Sequence, residues 1–269
     1  MCYFLFIIIA GGLQTMEDAK EMNLNSNNIV VMSNDLIKSK SNLSLNEIKI
    51  LRLAIMQVIK EDKDLQTYKV NVTELADLLA IDRHGIYQEV DKITTSLLKE
   101  IVYIGDGNPK HKWKKFQWCS SCQYENGVLT IKLHDDLKPF LLNLSELYTQ
   151  YVLEDILYLK SVYSIRIYEL IREEMRYQKV FADKEADIYL PMDIIRKATD
   201  TESKYNQYGM FRARVIDAAV NEINEKLQYY VTYEPVKESR KVIGFNFHIM
   251  TNLYAHMKGL TEWNIINKR

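Results

Sequence analysis

The sequence predicts an α+β fold, mostly helical, with two winged helix-turn-helix domains in tandem. One order of elements occurs twice along the chain: a helix, a strand, a short helix, a turn, a longer helix and a two-stranded hairpin. A length of 269 residues is sufficient for two domains. With only 9 glycines and 4 prolines, the chain also has little material for long flexible linkers.

The first unit begins with an amphipathic helix over residues 44–60. Ser44 and Glu47 have the spacing of a capping box, in which each side chain accepts a hydrogen bond from the backbone N–H of the other residue. The alternating run at residues 68–72 predicts a short strand. Thr73 follows at the position of a helix N-cap, and we expect it to start the short helix.

The longer helix of the first unit is predicted to start at residue 86, after a turn with the sequence DRHG. Its apolar side chains recur at helical spacing, at Ile86, Val90, Ile93 and Leu97. Two strand-like runs, residues 112–124 and 127–133, then close the unit as its wing. The Glu125-Asn126-Gly127 sequence between them is a strong signal for a hairpin turn.

The second unit repeats this order. Its predicted elements are a long helix at residues 161–178, a strand at 187–191, a short helix at 192–200, a longer helix at 208–227 and two strands at 229–236 and 241–249. We place the first winged-helix domain at residues 28–145 and the second at residues 146–250. Residues 1–27 are expected to be an N-terminal extension, disordered or upstream of the true start, and residues 251–269 a tail without an assigned role.

The N-terminal extension contains an apolar run at residues 3–10, which is far shorter than the ~20 residues that span a bilayer. An alternative is the core of a secretion signal, although no Lys or Arg precedes the run. We favour a start of translation at Met16 or Met22. Three cysteines are too few for a disulfide scaffold and suit a reducing cytoplasm. Since no later segment reaches spanning length without charges, we expect a cytoplasmic protein that does not contact a membrane.

The candidate site is the outward face of the longer helix in the second unit. At ~100° per residue, Arg214 lies ~200° from the apolar Ile216 and shares its face with Ala218 and Asn221. An arginine can bond a guanine edge with two hydrogen bonds, and an asparagine can do the same with adenine. Arg214 and Asn221 are therefore candidate base-reading residues.

Two neighbours of Arg214 complete this candidate site. On the same geometry Arg212 falls nearer to the apolar stripe, so we assign it to a phosphate contact, or to no contact if its stem is packed. Phe211 is included as an adjacent candidate contact. The alternative for this face is a surface ion pair between Arg214 and Asp217, which would contribute ~0–1 kcal/mol.

Basic residues also cluster in both predicted wings. Lysines on a wing suit phosphate neutralisation, which gives affinity without sequence information. The candidate backbone contacts are Lys237, Arg240 and Lys241 on the second wing, Lys112, Lys114 and Lys115 on the first wing, and Arg83 and His84 at the start of the first unit's longer helix. We expect the second unit to read bases and the first mostly to hold the DNA backbone. Two alternatives are that the charges protect an edge strand from aggregation, or that both units bind only other proteins.

Two stretches at this spacing resemble a known family. Residues 148–172, YTQYVLEDILYLKSVYSIRIYELIR, followed by residues 211–224, FRARVIDAAVNEIN, look like the theta-type, iteron-binding plasmid replication initiators of the RepA/RepE/pi class. The resemblance extends over residues 28–250. This sequence differs from the family pattern at Ala213, where a basic residue is usual, and at Ala218, where proline is common.

The resemblance implies a protein that binds double-stranded DNA at repeated sequences of a plasmid origin. It further implies opening of AT-rich DNA and recruitment of the host initiator and the replicative helicase. A monomer would initiate replication, whereas a homodimer, formed largely through the first domain, would repress the protein's own promoter. Basic residues early in the second domain's long helix contact the groove in this family, and they correspond to Arg212 and Arg214 here. The alternative function is a winged-helix transcriptional regulator without a role in initiation.

The sequence offers little support for an enzyme. It contains no GxxxxGK[ST] loop, and no His-hydrophobe-His pair accompanies a tyrosine. Cys119 and Cys122, flanked by His111 and His134, form the strongest metal-like pattern. Residues three apart in a regular strand point to opposite faces, however, which would separate the two sulfurs. We therefore expect packed or idle thiols, no metal and no cofactor.

Overall fold

The computed structural model describes residues 19–106, 108, 110–175 and 185–260. Within these ranges the chain forms two winged-helix domains of the α+β class, as predicted. None of the described helices is long and apolar enough to cross a membrane. The apolar run at residues 3–10, the predicted helix end at 176–178 and the last part of the tail lie outside the described residues.

The first domain is built around helix α2, Leu45–Met56. Its predicted capping box is confirmed, since the Ser44 side chain accepts from the Glu47 N–H and the Glu47 carboxylate accepts from the Ser44 N–H at 2.7 Å. The other elements before the wing are β1 (Lys20–Glu21), β2 (Ile29–Ser33), α1 (Asn34–Ile37), β3 (Thr67–Asn71), α3 (Val72–Leu79) and α4 (Ile86–Leu97).

Two local predictions for the helix-turn-helix of the first domain have different outcomes. The apolar stripe of α4 is confirmed, because all four of its members are buried. The predicted cap of α3 is wrong, because the helix begins at Val72 and its N-cap lies two residues before Thr73. Asn71 is therefore the N-cap, and its Oδ1 accepts from the Thr73 N–H at 2.9 Å.

The wing of the first domain consists of β6 (Cys119–Glu125) and β7 (Val128–Leu133). β7 also pairs with β3, so the wing extends a sheet with the strand order β1-β3-β7-β6. Between β6 and β7, Asn126 and Gly127 have φ values of 48° and 84°. Positive φ at both central residues is what a two-residue type I′ hairpin turn requires, so the predicted turn is confirmed.

The predicted strand at residues 112–124 is in fact interrupted. Its first half, β5 (Lys114–Gln117), does not belong to the wing but pairs with β4 (Ile101–Ile104) in a separate two-stranded sheet. We call β4, β5 and the described residues between them the basic hairpin. The prediction that Lys112, Lys114 and Lys115 lie on the wing is therefore wrong, because pairing with the upstream strand β4 takes this segment away from it.

The chain on both sides of these elements also packs against the first domain. In the predicted N-terminal extension, β1 pairs in parallel with β3, and the Met22 N–H donates to the Lys69 carbonyl at 2.8 Å. Residues 20–22 therefore pair with the sheet of the first domain. After α5 (Lys138–Leu141), β8 (Tyr148–Val152) pairs antiparallel with β2 and leads into α6 (Leu153–Tyr158). The segment that connects the two units is thus folded, and the domain boundary at residues 145/146 stays a prediction.

The order of elements predicted for the second domain is confirmed. The elements are α7 (Val162–Met175), β9 (Glu185–Pro191), α8 (Met192–Ala198), the long helix α9, β10 (Tyr229–Glu238), β11 (Lys241–Thr251) and α10 (Asn252–Met257). Three consecutive segments form α9, namely Tyr208–Phe211 and Ala218–Lys226 as α-helix and Arg212–Asp217 between them as π-helix. The strand order of its sheet is β10-β11-β9.

A buried charged cluster joins α7 to the first domain. The Glu169 carboxylate of α7 accepts hydrogen bonds of 2.6 Å from Arg52 Nε, from Arg166 Nη1 and from the Tyr151 hydroxyl. All four residues are at most 3% exposed. Burial alone would raise the pKa of Glu169, but the two guanidinium groups and the hydroxyl lower it to about 2. Glu169 is therefore ionised at neutral pH.

We expect Glu169→Gln to destabilise the protein by about 3–5 kcal/mol, because it leaves two buried guanidinium groups without a counter-charge. Urea unfolding measures the effect. Since the pKa of Glu169 is depressed by folding, its contribution is present above about pH 4.5 and is lost as the pH falls toward 2. The difference between wild type and variant should shrink over that range.

The matched control is Glu174→Gln on the same helix. Glu174 is one-third exposed, and its Oε1 lies 3.8 Å from Lys38 Nζ. A surface pair of this kind contributes ~0–1 kcal/mol. If the two variants lose the same free energy of unfolding, the buried cluster contributes no more to stability than a surface ion pair.

Candidate nucleic-acid interface

The π-helical segment decides which residues of α9 face solvent. Three consecutive residues, Arg212, Ala213 and Arg214, are exposed, whereas Val215 and Ile216 after them are both buried. A π-turn takes up one more residue than an α-turn because its hydrogen bonds run from i to i+5. The constant ~100° per residue assumed for the sequence therefore does not hold over this segment.

Arg214 lies on the outward face, together with Ala218 and Asn221. It makes no hydrogen bond or ion pair with any residue in the described part of the chain. Asp217 instead bonds Arg212, whose Nε lies 3.3 Å from Asp217 Oδ2, and accepts a second hydrogen bond from the Tyr233 hydroxyl. The alternative of an Arg214–Asp217 pair is therefore wrong, and Arg214 is available for a ligand.

Arg212 also differs from the expectation. Its side chain is 53% exposed and points outward beside Arg214, not toward the apolar stripe. The physical reason is the i to i+5 spacing of the π-helix, which brings Arg212 and Asp217 together on one surface. Both arginines therefore face solvent at the start of the helix.

Phe211 is a correction to the predicted site, because it is 0% exposed and cannot contact DNA. The Arg196 guanidinium covers its ring at 4.1 Å. Arg196 also donates to the carbonyls of Thr201, Lys204 and Tyr205, at 2.8 to 3.1 Å, in the turn between α8 and α9. Phe211 and Arg196 therefore position the start of α9. Arg196 was not among the predicted site residues, because it stands among ordinary helix residues without a distinguishing motif.

The second wing brings the predicted basic residues next to the start of α9. Lys237, Arg240 and Lys241 are exposed around the β10–β11 turn. They line a surface groove of about 580 Å³ together with Arg196 and Tyr208, and the remaining lining residues are Met192, Asn206 and Val242. No acidic side chain is among these described lining residues. The groove is therefore an anion-attracting surface between a wing and a helix-turn-helix.

Asp217 is paired with Arg212, and the other two acidic residues of α9, Glu222 and Glu225, lie toward its other end. Glu222 accepts from the Lys160 N–H at 2.7 Å, and Glu225 pairs with Lys226 at 2.6 Å. Recognition helices contact bases mainly through their N-terminal residues. The charge along α9 therefore has the polarity that a DNA contact near Arg212 and Arg214 requires.

The corresponding turn of the first domain carries less available charge. Arg83 pairs with Asp77, with 2.9 Å between Nε and Oδ1, and the fully exposed His84 lies 3.2 Å from Asp82 Oδ1. Two exposed aromatic residues that were not predicted as site residues lie nearby. Tyr87, on the first turn of α4, is 53% exposed, and its ring centroid is 5.6 Å from that of Tyr124 on the wing. Their only signal in the sequence is that Tyr87 falls off the apolar stripe.

The lysines of the basic hairpin are exposed but differ in their contacts. Lys114 Nζ lies 2.8 Å from Asp136 Oδ1. Lys115 has no acidic partner among the described residues and covers the Trp113 ring at 5.0 Å. Lys112 is exposed in the approach to β5. These lysines therefore form a surface of their own, separate from the first wing.

The two cysteines of the CSSC motif lie on the same face of the sheet, which corrects the predicted separation. Cys119 stands opposite Leu133 and Cys122 opposite Ile131, because a bulge between Cys119 and Ser121 shifts the register. Leu133 and Ile131 are both 0% exposed, and directly opposed residues point to one face. A hydrogen bond with Cys119 lowers the pKa of Cys122. The described residues contain no cluster of His, Cys, Asp or Glu suited to a metal ion.

Both domains are similar to known protein families. Residues 29–172 match the family described as Initiator Replication protein, WH1, and residues 191–249 match Initiator Rep protein, WH2. A replication initiation protein of Escherichia coli is 24% identical over 201 residues, which are 73% of this chain and 62% of that protein. The chain therefore aligns with less than two thirds of that relative.

A solved structure shows the same fold. The crystal structure of Pi initiator protein in complex with iteron DNA superimposes with a TM-score of 0.68, covering 84% of this chain and 98% of that chain at 20% sequence identity. The family matches include both winged helices and most of the described residues. They confirm the resemblance inferred from the sequence and the expectation that the chain is not an enzyme. The protein belongs to the Rep3 family of initiator replication proteins.

Proposed function

We propose that this chain initiates plasmid replication by binding iterons, the repeated sequences of an origin. The observation that carries the proposal is the groove between the second wing and the start of α9, which is lined by cations and contains no acidic side chain among its described lining residues. Phosphate neutralisation by such a surface supplies affinity, and an adjoining exposed helix face supplies sequence recognition. The likeness to a fold solved with iteron DNA supports the same ligand.

The individual roles follow from position and availability. Arg214, without a partner in the described part of the chain, is proposed to read a guanine edge, and Asn221 two turns later to read an adenine. The small Ala218 between them lets the helix approach the bases. Arg212 is proposed to bind a phosphate. The wing residues Lys237, Arg240 and Lys241 are proposed to bind phosphates as well. In the first domain, Arg83, His84, Lys112, Lys114 and Lys115 are proposed to contact the DNA backbone.

The finer steps of initiation are part of this proposal. We propose that the chain opens AT-rich DNA, recruits the host initiator and the replicative helicase, and acts in the cytoplasm. We also propose an equilibrium between an initiating monomer and a homodimer that represses the protein's own promoter. The runner-up function, a transcriptional regulator without a role in initiation, shares every DNA contact described above.

Footprinting on DNA flanking the protein's own gene tests binding, and permanganate reactivity of nearby AT-rich DNA separates the two functions. An initiator should protect repeated sites and make adjacent thymines reactive. Protection without reactivity, together with failure to support replication of a plasmid carrying that DNA, would favour the regulator. Absence of any protected site would contradict both.

Arg214→Ala should lower the preference for the protected repeat over random DNA by ~1–3 kcal/mol, because it removes a bidentate base contact. Binding to random DNA should change little. Lys226→Ala, at the acidic end of the same helix and paired with Glu225, is the control and should leave both affinities unchanged. Equal losses on the repeat and on random DNA would argue against base reading by Arg214.

Replacing Lys237, Arg240 and Lys241 by Ala should weaken binding to the repeat and to random DNA alike. The slope of log K against log salt should fall by ~0.9 for each phosphate that the protein no longer neutralises, up to about 3 in total. Affinity measured at several salt concentrations provides the slope. A slope identical to that of the wild type would exclude the second wing as a phosphate-binding surface.

Lys114→Ala with Lys115→Ala tests the basic hairpin in the same assay. We expect a smaller decrease of the salt slope than for the second wing, because Lys114 is already paired with Asp136. Asp136→Ala is the companion variant, since it releases Lys114 and should raise the slope. If neither change moves the slope, the basic hairpin does not touch phosphate.

A further inference from the structure

Helix α7 carries three charged side chains that face the first domain and are at most 3% exposed: Arg166, Glu169 and Glu173. Glu169 binds Arg52 of α2 through both carboxylate oxygens, at 2.6 and 3.2 Å. Glu173 accepts from Asn34 Nδ2 of α1 at 2.8 Å and pairs with Lys38 just after α1, also at 2.8 Å. The first domain is therefore fixed to α7 through its two N-terminal helices.

Arg166 bonds both domains with one guanidinium group. Its Nη2 donates to the carbonyls of Ile37 and Ser39, at the end of α1, at 2.6 and 2.9 Å. Its Nε donates to the carbonyl of Ala198, the last residue of α8 in the second domain, at 2.9 Å. Because a guanidinium group is planar and rigid, Arg166 fixes the distance and angle between the end of α1 and the end of α8.

The position of α8 is in turn coupled to the DNA-facing helix. Arg196 of α8 covers Phe211 at the start of α9 and bonds the turn between the two helices. Any rotation of the second domain, α7 included, against the first would pull Arg166 away from the carbonyls of Ile37 and Ser39. That movement would leave a buried charged donor without its acceptor, which is costly.

Partly exposed contacts add a second layer to this junction. Lys197, next to Ala198, donates to the Gly105 carbonyl of the basic hairpin. Lys40, after α1, pairs with Asp200 at 3.5 Å and also with Glu202. Both lysines line a cleft of about 800 Å³ between the domains. The buried contacts and the partly exposed contacts therefore connect the same elements: both join the first domain, at α1 and the basic hairpin, to the end of α8.

We propose that Arg166 is a positioning residue that sets the spacing between the DNA segments contacted by the two domains. This inference rests on the proposed function. One inserted base pair moves two segments by ~3.4 Å and rotates them by about 34–36°. A junction held by directional bonds cannot follow that change, so the protein should reject sites with altered spacing even when every contacted base is retained.

The test uses a duplex selected from a random-sequence library by the full-length wild-type protein, with both protected segments mapped by hydroxyl-radical footprinting. One or two base pairs are then inserted between the segments. Wild-type affinity should fall about tenfold or more for one inserted base pair. For Arg166→Lys, which keeps a positive charge beside Glu169 but cannot bridge both helix ends, the decrease should be about threefold or less.

A purely structural role would lower the affinity for all spacings by one factor and leave the ratio between spacings unchanged. That result would overturn the proposal. If Arg166→Lys does not fold, the double variant Lys40→Ala with Lys197→Ala weakens the same junction from its surface and should at least halve the spacing penalty. Lys204→Ala is its control, because Lys204 pairs with Asp200 within the second domain, at 2.8 Å, and does not bridge.

The two proposals fail differently. If the wild type enriches no sequence from the library, the proposed DNA-binding function is wrong. If it enriches a sequence with two protected segments but tolerates inserted base pairs, only the role of Arg166 is wrong. If the Lys40→Ala, Lys197→Ala double variant loses as much affinity per inserted base pair as the wild type, the junction does not set the spacing.

Discussion

The pairing of Glu169 with Arg52 and Arg166 is the constraint on which the rest of the structure depends. Two guanidinium groups and one carboxylate are buried together, so the cluster carries excess positive charge away from water. Such a cluster is costly unless most of the remaining donors find acceptors. Arg166 finds them at helix ends, where carbonyl groups lack partners within their own helix. The ends of α1 and α8 must therefore lie at this cluster, and the two domains are arranged accordingly.

This arrangement separates the groups that hold the fold from the groups that remain for a ligand. The interior charges are paired around α7, whereas the exposed end of α9 is positioned by Phe211 and Arg196 without using Arg214. A rigid support behind an exposed helix means that fewer side chains and backbone segments must become ordered on binding. The entropy lost on binding is therefore smaller. The functional face can therefore carry unpaired charge because the stability of the protein does not depend on it.

The sequence predicted the order of elements because periodicity and capping are local signals. The capping box at Ser44 and the turn at Asn126 depend on neighbouring residues and were found correctly. The errors arose where the structure departs from a constant period. The π-helix turned Arg212 outward, and a bulge placed Cys119 and Cys122 on one face, since each adds a residue to a regular repeat. Pairing of β4 with β5 was missed because β4 is a run of only four residues, without the apolar/polar alternation that predicts a strand.

The distribution of ion pairs explains how a chain of net charge −1 can present a surface for DNA. Most candidate cations of the first domain are neutralised locally: Arg83 by Asp77, Lys114 by Asp136 and His84, when protonated, by Asp82. Among the candidate cations of the second domain, only Arg212 has an acidic partner in the described part of the chain. Since phosphate affinity depends on cations that are available and not on net charge, the second domain should dominate the affinity. Under the proposed function, the first domain would contribute mainly through its fixed distance from the second.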